Sequence, residues 1–470
     1  MEQKKLSHHE NLLGTNNLVV RQNRFDSEGI FHAEFDGKKF KIQNYSLFGL
    51  GILSEEKLAE GANLDFVEIK CGNQHIVSLP FLVKRVKRAD FGFEVGLEVV
   101  NGALPVETIM RIKDFNAVVS GLAEKENYYK DLPVEYKTTL LELVTRLEVY
   151  EKYVKSFSEK EFNNSIEFHE SRESLIEVVS GQIKIELDIA LERMTKGFKQ
   201  EKSEYFKPAF AYFRDHMGKY IFQSPLTKRS YEKPRGYSGD FVMMTQIYAN
   251  DNFANNLFGS CMEKAIQQFG EPSAVRNRSI YLAKKIVRKI KSAETDLKFL
   301  SVASGPAEEI KVAISELSQE DLSRCEFTLL DQDEGALQFA QKSILEFAMS
   351  QNKKVKLKLV NQGIKEILIH GLSSSKYDMI YSAGLFDYFT DAVATRACKV
   401  LGKHLGTRGE LVIGNFNIET TNMFGMLAFF DWSLILRGEE DFKRLFNIEG
   451  TKMTVESEQN RINLFCCITF

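Results

Sequence analysis

The spacing of apolar positions changes twice along the chain. From residue 1 to about 104 it is two, the period of a strand with one buried face. Phe31, Ala33 and Phe35 share one side of GIFHAEF, and Phe40 and Ile42 share one side of KKFKIQN. Asp36-Gly37 between them is a dipeptide favoured in tight hairpin turns. HIVSLPFLVKRV and FGFEVGLEVV continue the pattern, with Phe93, Val95, Leu97 and Val99 on one face. Several short strands with polar turns predict a small β-barrel that ends at Pro105.

From 105 to 290 the spacing is helical. Leu140, Leu143, Val144, Leu147 and Val154 form one stripe, and Ile176, Val179, Ile183, Leu187 and Met194 another. KRSYEKPRGYSGDF interrupts them: Pro234, Gly236 and Gly239 surround Arg235, Tyr237 and Asp240, which predicts an irregular loop. From 291 to 470 strands and helices alternate. LKFLSVA, CEFTLLD, VKLKLV, YDMIYSA and GELVIGNF read as strands, and KMTVES with RINLFCCITF as a closing antiparallel pair. This alternation predicts an α/β fold, a doubly wound and mostly parallel sheet with an antiparallel edge. Three domains are expected: a barrel (1–104), a helical region carrying a lid and part of the substrate site (105–290), and the α/β domain (291–470).

Composition narrows the partners. A net charge of −3 over 470 residues provides no global field for nucleic acid. Six scattered cysteines without CxxC fit buried thiols in a reducing compartment. MEQKKLSHHENLLG has no apolar run, so no signal peptide is expected. The most apolar stretch, MFGMLAFFDWSLIL, is broken by Asp431 and falls short of the roughly 20 residues a bilayer requires. A cytoplasmic protein without a transmembrane segment is expected. The eight histidines lack HExxH or paired Cys/His spacing, so no metal is expected.

The α/β region carries the chemistry. Its first strand ends in SVASGPAEE, where Gly305 allows close approach of a ligand and Pro306 prepares a helix. Its second ends in LLDQD, where Asp331 suits a ribose diol and Asp333 suits the cap of the next helix. GxGxxG is missing, which disfavours nicotinamide and flavin dinucleotides. A ligand with ribose and adenine but no phosphate, such as S-adenosylmethionine, fits a single glycine.

LSVASGPAEE, LLDQD, YDMIYSAGLFDYF and GELVIGNF resemble the successive motifs of class I S-adenosylmethionine-dependent methyltransferases. KPRGYSGD, AVRNRSIYL, IYSAGLFDYF and the DW of FFDWSLILR are similar to a bacterial subgroup, the 3-hydroxypalmitic acid methyl ester biosynthesis proteins, which make fatty-acid methyl ester signals. The resemblance covers about residues 130–470; Ser304 stands where the subgroup usually has Cys. It implies a Rossmann-like methyltransferase domain with S-adenosylmethionine at Ser304, Gly305, Pro306, Asp331, Gln332, Asn361, Ser382 and Gly384. A small acyl or hydroxy fatty acid is the implied acceptor, methylated on its carboxylate.

A carboxylate is already ionised at neutral pH and needs no base. It needs a cationic clamp, for which Arg235, Arg276 and Arg278 are candidates, because guanidinium matches carboxylate in a bidentate fork. The alternative for Arg276 and Arg278 is pairing with acidic residues across a helix interface. Tyr237 and Asp240 are candidates for a lid, or for loop hydrogen bonds. Asp387 and Tyr388 follow the fourth strand, where the acceptor should sit. Asn415, ending the fifth, orients the acceptor or caps a turn. MFGMLAFF lines an acyl channel or packs in the core.

In the first region, NYSLFGLGI, with Asn44, Ser46 and Gly49, resembles the (Asp/Asn)-x-Ser-x-x-Gly signature of PilZ domains, barrels that bind cyclic di-GMP. That family's RxxxR is represented here by Arg21-Gln22-Asn23-Arg24, one residue short. The barrel is a cyclic di-GMP sensor or a docking module. The expected protein is a methyltransferase with a regulatory barrel; the rival is a non-catalytic signalling adaptor.

Overall fold

The computed structural model describes residues 25–27, 29–157, 166–198, 206–372 and 376–470. Two compact units divide the chain, Met1–Lys130 and Asp131–Phe470.

Strands β1 (Phe25–Asp26), β2 (Phe31–Phe35), β3 (Lys38–Ser46), β4 (Gly49–Ser54), β5 (Asn63–Cys71), β6 (Gln74–Ala89) and β7 (Gly92–Val99) belong to the first unit. All pairings are antiparallel, and β3 and β4 close the sheet β3-β2-β5-β6-β7-β4 into a six-stranded barrel, with β1 added on β3. The expected hairpin is present: Asp36 and Gly37 have φ of 51° and 71°, the left-handed pair that a two-residue turn between twisted strands requires. Phe31, Ala33, Phe35, Phe40, Ile42, Val95, Leu97 and Val99 are buried inside, as their alternation predicts. Helix α1 (Val106–Tyr129) starts directly after Pro105 and places Ile109 on the barrel core.

The second unit opens with α2 (Val134–Ser156), α3 (Ile166–Phe198), α4 (Phe206–Ile221), α5 (Pro225–Glu232), α6 (Phe241–Ala249), α7 (Leu257–Gln267) and α8 (Gly270–Lys291). The expected stripes are buried between α2 and α3, with only Val144 half-buried. There follow β8 (Leu297–Val302), α9 (Glu308–Glu316), α10 (Gln319–Ser323), β9 (Cys325–Asp331), α11 (Glu334–Ser350), β10 (Lys356–Asn361) and α12 (Ile364–His370). The chain ends with β11 (Tyr377–Ser382), α13 (Asp391–Gly402), β12 (Leu405–Phe416), α14 (Met423–Phe430), α15 (Glu439–Phe446), β13 (Lys452–Ser457) and β14 (Asn463–Thr469).

The second sheet has the order β10-β9-β8-β11-β12-β14-β13. β14 alone runs antiparallel, between β12 and β13. Helices α8, α9 and α11 cover one face and α12, α13 and α15 the other, which makes the sheet doubly wound. The order reverses between β8 and β11, so their outgoing loops part and leave a crevice beyond the carboxyl ends.

Five of the six cysteines are buried and all six are free. No helix among the described residues is long and apolar enough to cross a membrane. MFGMLAFF forms α14, whose Phe424 and Phe429 meet Phe210 and Phe213 of α4. It is core, and the acyl-channel expectation is not met.

Arg437, 1% exposed, pins the loop after β11. Its guanidinium donates to the carbonyls of Phe386 (2.8 Å) and Phe389 (2.5 Å), to Asn415 Oδ1 (2.8 Å) and to Asp391 Oδ1 (3.1 Å). An apolar replacement strands Phe389 O and Asn415 Oδ1 in the interior, while Phe386 O keeps the Phe389 N–H and the half-exposed Asp391 keeps Arg444. Arg437→Met should lower stability by about 3–5 kcal/mol, the usual cost of removing one partner from a buried charged network. Urea denaturation of the whole chain checks it, and a loss below about 1 kcal/mol would contradict this role.

Candidate functional site

At the crevice the backbone is forced into uncommon angles. Ala303, Gly305 and Ala307 have φ of 54°, 50° and 52°, so left-handed residues alternate along the loop from β8 to α9. For the two alanines this is strained, and such strain persists only where surrounding bonds enforce it. Asp331 enforces it here: Oδ2 accepts the Gly305 N–H at 2.9 Å and Oδ1 accepts the Asp333 N–H at 2.9 Å. One carboxylate thus ties the ends of β8 and β9 together. Burial pushes its pKa up while these N–H groups oppose the rise. A Cβ built on Gly305 meets nothing within 4 Å, so the loop faces open space. Ser304 Oγ beside it is buried without a partner.

That open space is a cavity of about 350 Å³. Of the sequence-predicted residues, Ser304, Gly305, Pro306, Asp331, Gln332 and Gly384 line it, as do Tyr237, Arg278, Asp387 and Tyr388. Chain segments more than 150 residues apart in sequence therefore converge on one cavity.

The others stand behind the wall. Asn361 donates to the carbonyls of Asp331 and Gln332 (3.0 and 3.1 Å) and shapes the end of β9. Ser382 donates to Val302 O at 3.0 Å and stitches β11 to β8. Asn415 is fully buried, donating to Phe416 O and Ile435 O and accepting from Arg437. Arg235 grips Asp333 in a bidentate pair (2.6 and 2.7 Å), which holds that carboxyl below the usual carboxylate range. Arg276 is spent on Gln267, through its carbonyl (2.7 Å) and side chain (3.1 Å). A three-arginine clamp is therefore not assembled, because two of its members already have strong partners. Asp240 caps α6 and forms a bidentate pair with Arg229 (2.9 and 2.7 Å), so it supports the loop from behind. Asp333 caps α11, as expected.

The loop 233–240 is held down at several points. Lys233 pairs with Asp431 at 2.7 Å, and Tyr388 donates its hydroxyl to Ser238 O at 3.2 Å while accepting from Trp432 Nε1 at 2.6 Å. Gly239 has φ of 76°, and a Cβ there would stand 2.4 Å from the Trp432 ring. Only glycine lets the loop lie on that indole. Tyr237, half-buried on the cavity wall, has its phenol pushed up to about 12 by burial, with the charges of Asp331 and Asp333 adding to the rise.

Met244, Tyr248, Glu309, Gln362 and Trp432 also line the cavity and were missed as site residues. Two of them lay in strings already singled out: Glu309 follows the glycine turn in SVASGPAEE, and Trp432 is the DW tryptophan. Asp387, 1% exposed, accepts the Phe416 N–H at 2.6 Å, and burial pushes its pKa up to about 6.

In the barrel, Ser46 Oγ lies 3.3 Å from Gly49 O, Asn44 packs on Gly51, and a Cβ on Gly49 would stand 2.6 Å from Leu97 O. These three residues shape the β3–β4 turn. Arg21 and Arg24 lie outside the described residues.

No family model matches the sequence, and no curated protein does. Solved structures are similar to parts of it. A possible exported protein from Bordetella parapertussis shares 15% identity, covering 49% of this chain and 79% of that one, with a TM-score of 0.40. The CurJ carbon methyltransferase shares 14%, covering 75% and 98%, with a TM-score of 0.38. Magnesium protoporphyrin IX methyltransferase (ChlM) from Synechocystis, with bound S-adenosylhomocysteine, shares 12%, covering 43% and 87%, with a TM-score of 0.33. Likeness this distant leaves the chemistry to be decided by the residues themselves.

Proposed function

We propose that the chain is an S-adenosylmethionine-dependent methyltransferase. The observation that carries this reading is Asp331: it holds Gly305 against the end of β9 and faces the same cavity. A carboxylate has about four acceptor directions and two are used, which leaves capacity for a ribose diol. Open space over Gly305 lets a ligand reach the backbone, and Ser304 Oγ is a buried group awaiting a partner. The donor set fits the cofactor.

When bound, the cofactor supplies a methyl group on a cationic sulfur, open to in-line displacement. The residues supply alignment and dryness. Tyr237, Phe241 and Trp432 cover the cavity, and Leu385, Phe389, Phe416 and Leu434 give it an apolar side. That side suits an acyl chain, and the finer reading is O-methylation of a small acyl or hydroxy fatty acid at its carboxylate. Asp387 favours a second reading for a hydroxy acid. A carboxyl group with pKa near 6 is ionised at neutral pH and is placed to take a proton from a hydroxyl acceptor. The barrel is read as a cyclic di-GMP sensor on the strength of Asn44, Ser46 and Gly49 and the two arginines. Regulation then requires that the dinucleotide prefer one arrangement of the enzyme.

Three measurements test these readings. Asp331→Ala should weaken S-adenosylhomocysteine by at least about tenfold in calorimetry, roughly the value of one charged hydrogen bond. No heat with folded wild-type protein rejects the enzyme. Asp387→Asn should leave carboxylate methylation within a few-fold but cut hydroxyl methylation by about 100-fold. In the wild type the hydroxyl reaction should rise with pH through about 6 and then level, because the base works deprotonated. A pH-independent hydroxyl reaction contradicts that role. Cyclic di-GMP should give heat with the whole chain and none with Arg21→Ala/Arg24→Ala; a silent wild type leaves a docking module.

A further inference from the structure

Helix α1 of the first unit carries an uncovered apolar stripe. Ile109 and Ile112 turn toward the barrel core, and Asn116 on that side donates to Cys71 Sγ at 3.3 Å. On the side turned away from the barrel, Phe115, Val118, Val119 and Leu122 are 66%, 59%, 45% and 62% exposed. Steps of three and four residues put these four on one face of the helix. Single exposed apolar residues are ordinary, but a contiguous patch of them marks a contact surface.

The order of residues along this face says what covers it. The midpoint of the stripe falls between Val118 and Val119, with Phe115 and Leu122 at equal distances on either side. Beyond its two ends the charge is inverted. Arg111 stands four residues before Phe115 and Glu126 four residues after Leu122, both continuing the same face. Asp114 and Lys125 form a second opposite pair along one edge. Such a surface is its own complement when turned end for end. Within its own chain Arg111 pairs at 2.6 Å with Glu107, one turn away, in an exposed pair of the kind that contributes little.

We propose that α1 is the interface of an isologous homodimer, in which two copies pack antiparallel about a two-fold axis at Val118 and Val119. Each Phe115 then meets the Leu122 of the other copy, each Arg111 its Glu126 and each Asp114 its Lys125. Parallel packing sets Arg111 against Arg111 and Glu126 against Glu126, and like charges across a contact are costly. The barrels leave room for the antiparallel pair. Each packs on a different side of α1, near its N-terminal end through Ile109 and Ile112, so the two lie at opposite ends of a contact about 36 Å long. Apolar burial drives the association and the charge pairs set its direction. The dimer goes beyond the proposed function and stands whether or not the chain moves a methyl group.

Sedimentation equilibrium of the whole chain between about 1 and 100 µM tests it. Wild type should show a reversible monomer–dimer equilibrium. Leu122→Asp should weaken it at least about tenfold, because the two-fold places each change in the contact twice. Arg111→Glu and Glu126→Arg should each weaken it by about tenfold or more, and the double variant Arg111→Glu/Glu126→Arg should return it to within about threefold of wild type. All three positions are exposed, so the circular dichroism of the variants should match wild type. Rescue by the double variant cannot come from a folding defect. A wild type that stays monomeric throughout overturns the proposal. A dimer indifferent to Leu122→Asp uses another surface and overturns it too. A dimer that Leu122→Asp weakens but the double variant does not restore rejects the antiparallel arrangement.

Discussion

The second unit depends on what Asp331 does with its two oxygens. A buried carboxylate at the end of a central strand needs hydrogen bonds, and here it takes one backbone N–H from each of two loops. The Gly305 bond holds a turn in which alternate residues are left-handed, while the Asp333 bond sets the entry to α11. Asn361 and Gln362 close the same corner, through Asn361 Nδ2 to Asp331 O and Gln362 N–H to Asp331 O. With the loop so fixed, the backbone above Gly305 stays open and a cavity persists where a collapsed turn would fill it.

A second constraint comes from the order of the strands. Because β11 joins β8 on the side away from β9, the loops after β8 and β11 diverge, and those two loops wall the gap between them. The β11 loop is irregular backbone in the interior, so its carbonyls need donors, and Arg437 provides them. Helix α8 lends Arg278, and the loop 233–240 closes the side through Tyr237. The covering loop is anchored at its rim by pairs such as Arg235 with Asp333 and Lys233 with Asp431, and internally by the contact of Gly239 with Trp432.

These partnerships explain why the arginines separate into different roles. All three sit in strings that look alike in sequence, rich in polar and small residues. Arg235 and Arg276 meet fully available acceptors, a carboxylate and a carbonyl, and are consumed by them. Arg278 meets a distant carbonyl, a sulfur and a phenol, and its charge faces the cavity together with the Asp387 carboxylate. The partner, not the residue type, sets the role. Asp240 and Asn415 moved from expected chemistry to scaffolding for the same reason.

Alone, the sequence determined what depends on local order. Period two and Asp36-Gly37 define a barrel hairpin, helical stripes define α2 and α3, and strand–helix alternation defines a doubly wound sheet with an antiparallel edge. Gly305 and Asp331 were legible because strand ends and turns are written in neighbouring residues, and their place in such a sheet is general. Tertiary structure alone decided which side chains share a cavity. Glu309 is an ordinary first-turn acid in the chain and becomes a cavity group only because Tyr381 and Ser301 turn it inward from β11 and β8. Trp432 and Tyr237 line one cavity across nearly 200 residues of chain because α14 packs beside α5 and Gly239 lies on the indole. Such meetings are set by packing and by the pairing of buried charges, which act between segments distant in sequence, and no local pattern records them.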